Sequence, residues 1–105
     1  MKIHIKALSI NEAYKGRRFR TKKYDDYIKK MLLLLPEVDM IPENNIRLKI
    51  EFGFSSAASD IDNGLKCFID CLQKKYDFND KNIIELFVRK TKVLKGFEYI
   101  IFNFY

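Results

Sequence analysis

Residues 46–54 read IRLKIEFGF, and this segment alternates apolar and charged side chains more strictly than any other part of the chain. A period of two is typical of a β-strand with one buried face and one solvated face. Arg47, Lys49 and Glu51 are expected to face solvent. Five side chains are expected to face the core: Ile46, Leu48, Ile50, Phe52 and Phe54. The fold must therefore contain a sheet in which this strand is half buried.

Further strands are predicted near both ends of the chain. KIHIKAL, at 2–8, alternates like a second half-buried strand, with the only histidine, His4, among solvated lysines. Near the other end, NIIELFVRK and FEYIIFNFY are rich in β-branched and aromatic residues and are joined through 93–96. They predict an antiparallel hairpin that closes the chain.

Two helices are predicted between these strands. Apolar residues recur at helical spacing from Thr21, a predicted N-cap, to Leu35, and Pro36 is expected to end that helix. The same spacing recurs over 60–75, whereas 9–20 has no sustained period and is expected to be a loop. The predicted order is β-α-β-α-β-β. We expect a single domain over residues 1–105, of the α/β (mixed α+β) class, with a mixed sheet packed by two helices.

The charge balance favours a polyanionic partner. Twenty Lys and Arg oppose 14 Asp and Glu, which gives a net charge of +6 and suits nucleic acid or an anionic membrane surface. No stretch has the length and apolar character of a signal sequence or a membrane span, so the expected location is the cytoplasm. Cys67 and Cys71 lie one helical turn apart without zinc-ligand spacing nearby, and are expected to be reduced thiols that pack the helix.

Two aspartates stand at the start of the second helical pattern, in SDIDNGLKCFID, at 59–70. Ser59 followed by Asp62 resembles a capping box with Asp in place of Glu, and carboxylates in a first helical turn gain about 0.3–1 kcal/mol each from the free amides there. Taken alone, these residues predict a helix start. Gly64, in the first turn of that helix, would weaken it by about 1 kcal/mol relative to alanine.

A functional interpretation needs more carboxylates to converge on the pair. Lys66 follows Asp62 by four residues, and Asp80 follows the helix in FNDKNI. The spacing allows Asp80 to approach Asp60 and Asp62 if the closing hairpin lies beside the helix. Three carboxylates would suit Mg²⁺, which prefers oxygen ligands, and a nearby ammonium can neutralise a phosphate. This combination is the outline of a metal-dependent phosphodiesterase.

The same segments resemble the RusA family of Holliday junction resolvases. SDIDNGLKCFIDCL matches that family's D-x-D-N-x-x-K motif, and FNDKNIIELFVRK matches a second acidic motif that precedes a strand. Upstream, SINEAYKGRRFRTKKYDDY is similar to the family's S-x-N-x-x-Y segment, with a basic loop before the first helix. The three motifs occur in the family's order and together cover most of the chain.

The resemblance implies a role for each matched residue. Asp60, Asp62 and Asp80 correspond to the metal-binding acidic residues, and Lys66 to the catalytic lysine, while Asn63 completes the motif. The family is homodimeric, requires Mg²⁺, for which Mn²⁺ is an expected substitute, and resolves four-way DNA junctions by paired nicks in recombination and repair, commonly in bacteria, phages or prophages. This chain departs from the pattern in the neutral SSAAS at 55–59, where many members carry basic residues.

Phosphate contacts are expected from an unbalanced run of cations that accounts for six positive charges: Lys15, Arg17, Arg18, Arg20, Lys22 and Lys23. A second group of cations could extend it: Arg89, Lys90, Lys92 and Lys95. The expected function is thus a Mg²⁺-dependent endonuclease for branched DNA. The alternative is a basic nucleic-acid-binding module without catalysis, in which the aspartates are caps and turn residues.

Overall fold

The β-strand at 46–54 lies at the centre of the main sheet. A computed structural model describes residues 1–16 and 19–105. In chain order the elements are β1 (Lys2–Ile3), α1 (Ile10–Ala13), β2 (Tyr14–Lys15), β3 (Phe19–Arg20), α2 (Lys22–Leu34), β4 (Ile46–Phe54), α3 (Leu65–Tyr76), a 3₁₀ turn (Asp80–Asn82), β5 (Ile83–Lys92) and β6 (Tyr99–Phe104). The predicted mixed α/β class is confirmed.

The four-stranded sheet has the order β1-β6-β4-β5, and β2 and β3 form a separate two-stranded ribbon. β4 pairs with β5 in parallel and with β6 antiparallel. The predicted closing hairpin over 82–105 is therefore wrong, because β5 and β6 lie on opposite sides of β4 rather than against each other. β4, α3 and β5 instead form a β-α-β crossover, which is the connection that a parallel neighbour requires.

One face of the sheet is covered by α2 and α3. The five predicted core residues of β4 are all buried, which confirms the alternation. Phe68 of α3 packs edge-on against Phe102 of β6, with ring centroids 5.5 Å apart, and against Phe52 of β4 at 6.3 Å. Cys67 and Cys71 are buried free thiols in this layer, as predicted, and burial raises their pKa values to about 11 and about 12.

The N-terminal third of the chain differs from the prediction in detail. Only residues 2–3 of the predicted first strand pair, although Ile5 and Leu8 beyond them are buried. The predicted loop at 9–20 contains α1 and the β2–β3 ribbon, because Ser9 accepts a hydrogen bond from the Glu12 amide and starts a short helix there. α2 begins after Thr21, whose side chain accepts from the Tyr24 amide, so that predicted N-cap is confirmed.

The start of α3 was placed wrongly by the sequence pattern. The helix begins at Leu65 rather than at 60, and its N-cap is Gly64, without a side-chain capping bond. Gly64 is buried, and a Cβ added there would lie 2.7 Å from Cβ of Ala7. The glycine is thus required by its contact with the segment after β1, and it lies outside the helical turn that it was expected to weaken.

We therefore predict that Gly64→Ala destabilises the protein, by about 1–3 kcal/mol, as overpacked sites generally do. Urea denaturation measures the change. Ala7→Gly in the same chain removes the opposing methyl group and should restore most of the lost stability. A Gly64→Ala protein as stable as the wild type would contradict the contact.

Candidate functional site

The two aspartates of the D-x-D motif lie on an irregular turn that joins β4 to α3. Asn63 N donates to the Asp60 carbonyl at 3.0 Å, and Leu65 N donates to the Asp62 carbonyl at 3.1 Å, so two successive turns lead into the helix. Both aspartates are exposed. We call residues 59–64 the acidic turn. Lys90 of β5 donates to the Ser59 carbonyl at 2.7 Å and ties this turn to the end of the sheet.

Because α3 begins at Leu65, neither aspartate lies in its first helical turn. The predicted capping role of Ser59 and Asp62 is therefore wrong. The backbone carbonyls of Asp60 and Asp62, rather than their carboxylates, make the turn contacts described above. The carboxylates of Asp60 and Asp62 are thus left at the surface at the carboxyl end of β4.

Asp80 lies at the other end of the crossover. It opens the 3₁₀ turn that precedes β5, and Ile83 at the start of β5 pairs with Ile46 at the start of β4. The helix that joins the two turns, α3, has twelve residues and a length of about 18 Å at 1.5 Å per residue. Within residues 1–16 and 19–105, no three acidic, histidine or cysteine side chains come together as a metal-holding group.

Lys66 is held by an acidic partner, Asp70, that was not among the predicted site residues. Its Nζ lies 3.1 Å from Asp70 Oδ1, one helical turn along α3. The hydrogen bond and the charge of Asp70 raise the pKa of Lys66, and the more distant charge of Asp80 adds to this effect. Lys66 is therefore a firmly protonated cation at neutral pH, suited to charge stabilisation and poorly suited to removing a proton.

Asp70 also contacts the core of the protein. Tyr24 of α2 donates its hydroxyl to Asp70 Oδ2 at 2.9 Å, and Gln73 Nε2 approaches Asp70 Oδ1 at 3.4 Å. Burial and the Asp70 carboxylate together raise the Tyr24 pKa far above its ordinary value. The Gln73 amide oxygen in turn accepts the backbone N–H of Asp80 at 2.9 Å. A continuous set of polar contacts therefore joins Lys66 to the turn that carries Asp80.

Sequence reasoning missed Asp70, Tyr24 and Gln73. The four-residue spacing of Lys66 and Asp70 was a visible signal of an ion pair on a helix. The contact between Tyr24 and Asp70 joins residues 46 positions apart. The apolar pattern of α2 indicated only that Tyr24 lies in the core. Gln73 carries no charge and lies in no recognisable motif.

The predicted DNA-binding cations fall into three groups. Arg17 and Arg18 lie outside the described residues. Three others have carboxylate partners: Arg20 with Asp25 at 3.3 Å, Lys22 with Asp26 at 3.0 Å and Lys23 with Glu12 at 2.7 Å. Lys15 is exposed. The ribbon that carries it begins at Tyr14, whose phenol is close enough to Lys66 to influence its pKa.

Comparison with known protein families found no family model that matches this chain, and comparison with curated proteins found no match. Within residues 1–16 and 19–105, no helix combines the length and apolar character that crossing a bilayer requires.

Asp70→Asn is expected to lower the pKa of the Lys66 ammonium, because the variant keeps an acceptor oxygen but loses the charge that raises that pKa. Titration of the lysine Nζ and Cε signals by NMR measures the shift. Asp39→Asn, in the exposed segment after α2, removes an equal charge elsewhere and should leave the Lys66 titration unchanged. An identical Lys66 pKa in wild type and Asp70→Asn would contradict the ion pair.

Proposed function

We propose that this protein is a RusA-like endonuclease that acts in the cytoplasm, requires Mg²⁺ and resolves four-way DNA junctions by paired nicks. The observation that carries the proposal is the acidic turn: two exposed carboxylates, Asp60 and Asp62, lead directly into the helix whose first turn presents Lys66. Lys66, held by Asp70, follows these two exposed carboxylates within a few residues of sequence, and a cation and carboxylates are the groups that metal-dependent phosphodiester hydrolysis uses.

We further propose that the protein is a homodimer, which forms through the exposed edge of the main sheet. β5 is the outermost strand, ten residues long, with Ile84 and Phe87 56% and 60% exposed. A long strand with unsatisfied backbone groups and apolar side chains is a template for pairing with another chain. Antiparallel pairing of β5 with its copy about a two-fold axis gives a closed, isologous dimer.

This pairing would also bring Asp80 of each subunit toward the acidic turn of the other subunit. In an antiparallel pair, the start of β5 in one subunit lies opposite the end of β5 in the other. The end of β5 carries Lys90, which contacts Ser59 of the acidic turn. Asp80 of the partner subunit would thus approach Asp60 and Asp62, and each dimer would contain two composite sites related by the two-fold axis.

The three carboxylates suit Mg²⁺ by their donor chemistry, and Mn²⁺ as a substitute, but within one chain they do not converge. In the composite site, Asp60 and Asp62 with Asp80 of the partner subunit would hold the ion, whose remaining positions commonly go to waters and substrate phosphate. The bound ion would activate water and stabilise charge on the phosphate. Lys66 contributes a fixed positive charge toward the same phosphate.

DNA binding is proposed along the surface between the β2–β3 ribbon and the end of β5. Lys15 on the ribbon and Lys92 on β5 are exposed, and Lys90 lies beside the acidic turn. Arg20, Lys22 and Lys23 are expected to contribute less phosphate attraction, because each already has a carboxylate neighbour. Phosphate contacts of this kind position the nucleic acid without reading its sequence.

The alternative is a basic nucleic-acid-binding module without catalysis. The observation in its favour is that the three aspartates do not form a metal-holding group within the described part of one chain. Incubation with a four-way junction distinguishes the two functions. Cleavage with Mg²⁺ and its absence with EDTA support the endonuclease, whereas binding without cleavage under both conditions supports the module.

Asp60→Asn, Asp62→Asn and Asp80→Asn should each reduce junction cleavage by at least a hundredfold while junction binding stays equal or becomes tighter. Each change removes a metal ligand and a negative charge that faces phosphate. Cleavage rates and gel-shift affinities measure the two effects. Asp39→Asn is the matched control and should cleave at the wild-type rate. Near-normal cleavage by any of the three would remove that residue from the site.

Mixed dimers test the composite site directly. A dimer of one Asp62→Asn subunit and one Asp80→Asn subunit has both lesions in one composite site and none in the other, so it should regain single-strand nicking. Refolding the two inactive variants together and assaying a supercoiled or junction substrate measures this. Asp60→Asn mixed with Asp62→Asn damages both sites and should stay inactive. Equal inactivity of the two mixtures would contradict a shared site.

A further inference from the structure

The carboxylate of Asp70 accepts hydrogen bonds from three side chains. Lys66 and Gln73 approach Oδ1 at 3.1 and 3.4 Å, and the Tyr24 hydroxyl donates to Oδ2 at 2.9 Å. The Asp70 side chain is 21% exposed, against 58% for Lys66. An isolated surface ion pair is weakly ordered, but a carboxylate with three donors has a single favoured orientation.

Tyr24 provides the fixed end of this arrangement. The residue is 2% exposed and lies on the buried face of α2, where its ring packs edge-on against Tyr14 with centroids 5.5 Å apart. Its hydroxyl therefore cannot move without disturbing the helix layer. Because Tyr24 holds Oδ2 in place, Asp70 Oδ1 is presented to Lys66 in a fixed direction.

Gln73 extends the arrangement to the second part of the proposed site. Its amide nitrogen donates to Asp70, and its amide oxygen accepts the Asp80 backbone N–H at 2.9 Å. The side chain thus uses both ends of its amide group, and its orientation is set by these two contacts. The Gln73 oxygen and the N-cap residue Asn79, whose side chain accepts from the Lys81 amide, together fix where the 3₁₀ turn begins.

We infer that Asp70 and Gln73 are positioning residues, which hold Lys66 and the Asp80 turn as one hydrogen-bonded unit anchored on Tyr24. The inference rests on the proposed function for its catalytic consequence. In the proposed dimer, Lys66 serves the site of its own chain while Asp80 serves the site of the partner. One network therefore sets the geometry of a cation in one site and a carboxylate in the other.

Hydrogen exchange tests the unit without relying on nuclease activity. Gln73→Ala removes the acceptor of the Asp80 N–H, and the Asp80 amide should exchange about tenfold faster, as expected for the loss of one hydrogen bond. Lys74→Ala, the exposed neighbour on α3, should leave that amide unchanged. Unaltered Asp80 exchange in Gln73→Ala overturns the inference, whether or not the protein proves to be a nuclease.

Kinetics test the catalytic consequence. Asp70→Asn and Gln73→Ala should each lower the single-turnover cleavage rate at saturating junction about tenfold or more, with junction affinity within about twofold of wild type. The double variant should lose little more than the worse single variant, because both act through one network. Additive losses, or unchanged rates in an active wild-type background, overturn the positioning role.

Comparison of Tyr24→Phe with Tyr76→Phe distinguishes a positioning role of Tyr24 from a purely structural one, because each variant loses one hydroxyl hydrogen bond within the fold. Tyr76 also donates its hydroxyl within the fold, to the Pro36 carbonyl at 2.6 Å, but at a distance from Lys66 along α3. Tyr24→Phe should reduce the cleavage rate severalfold at a temperature where both variants are fully folded, and Tyr76→Phe should not. Equal rates for the two variants overturn the anchoring role of Tyr24.

Discussion

The structure depends on the burial of one face of β4. Its five apolar side chains are covered by α2 and α3, and both of its edges are paired. A strand buried on one face and flanked on both sides fixes the position of every other element, because a slip by one residue would turn the apolar side chains to solvent. The helix layer, the crossover and the closing strand are all placed relative to this strand.

The β4-α3-β5 crossover determines where the polar residues of the candidate site lie. Parallel strands require their connecting helix to run back along the sheet, so the residues before and after α3 lie at opposite ends. Asp60 and Asp62 precede the helix, and Asp80 follows it. Lys66, Asp70 and Gln73 lie along the face between them. The sheet topology therefore separates the acidic residues, and polar contacts along the helix connect the two ends.

The sequence predicted the elements whose signals are local. The alternation of β4 and the Thr21 cap of α2 required nothing beyond neighbouring residues, and both are confirmed. The pairing of β5 and β6 depends on which strands meet in space, and two adjacent strand-like segments favoured a hairpin that does not form. The need for glycine just before α3 comes from a contact with Ala7, which lies 57 positions away from Gly64 in the sequence. Likewise, a motif singled out Lys66, but no sequence signal pointed to the hydrogen bond by which Tyr24 holds its partner Asp70.

The two edges of the sheet differ in a way that bears on assembly. β5 offers ten residues on one side, whereas β1 on the other side is only two residues long. A sheet with two long free edges can add copies in both directions and grow into a filament, but here only one edge can support extended pairing. If that edge paired with itself as proposed, each copy would have no second long edge to offer. Growth through this sheet would then stop at two chains, and one continuous sheet would run across both.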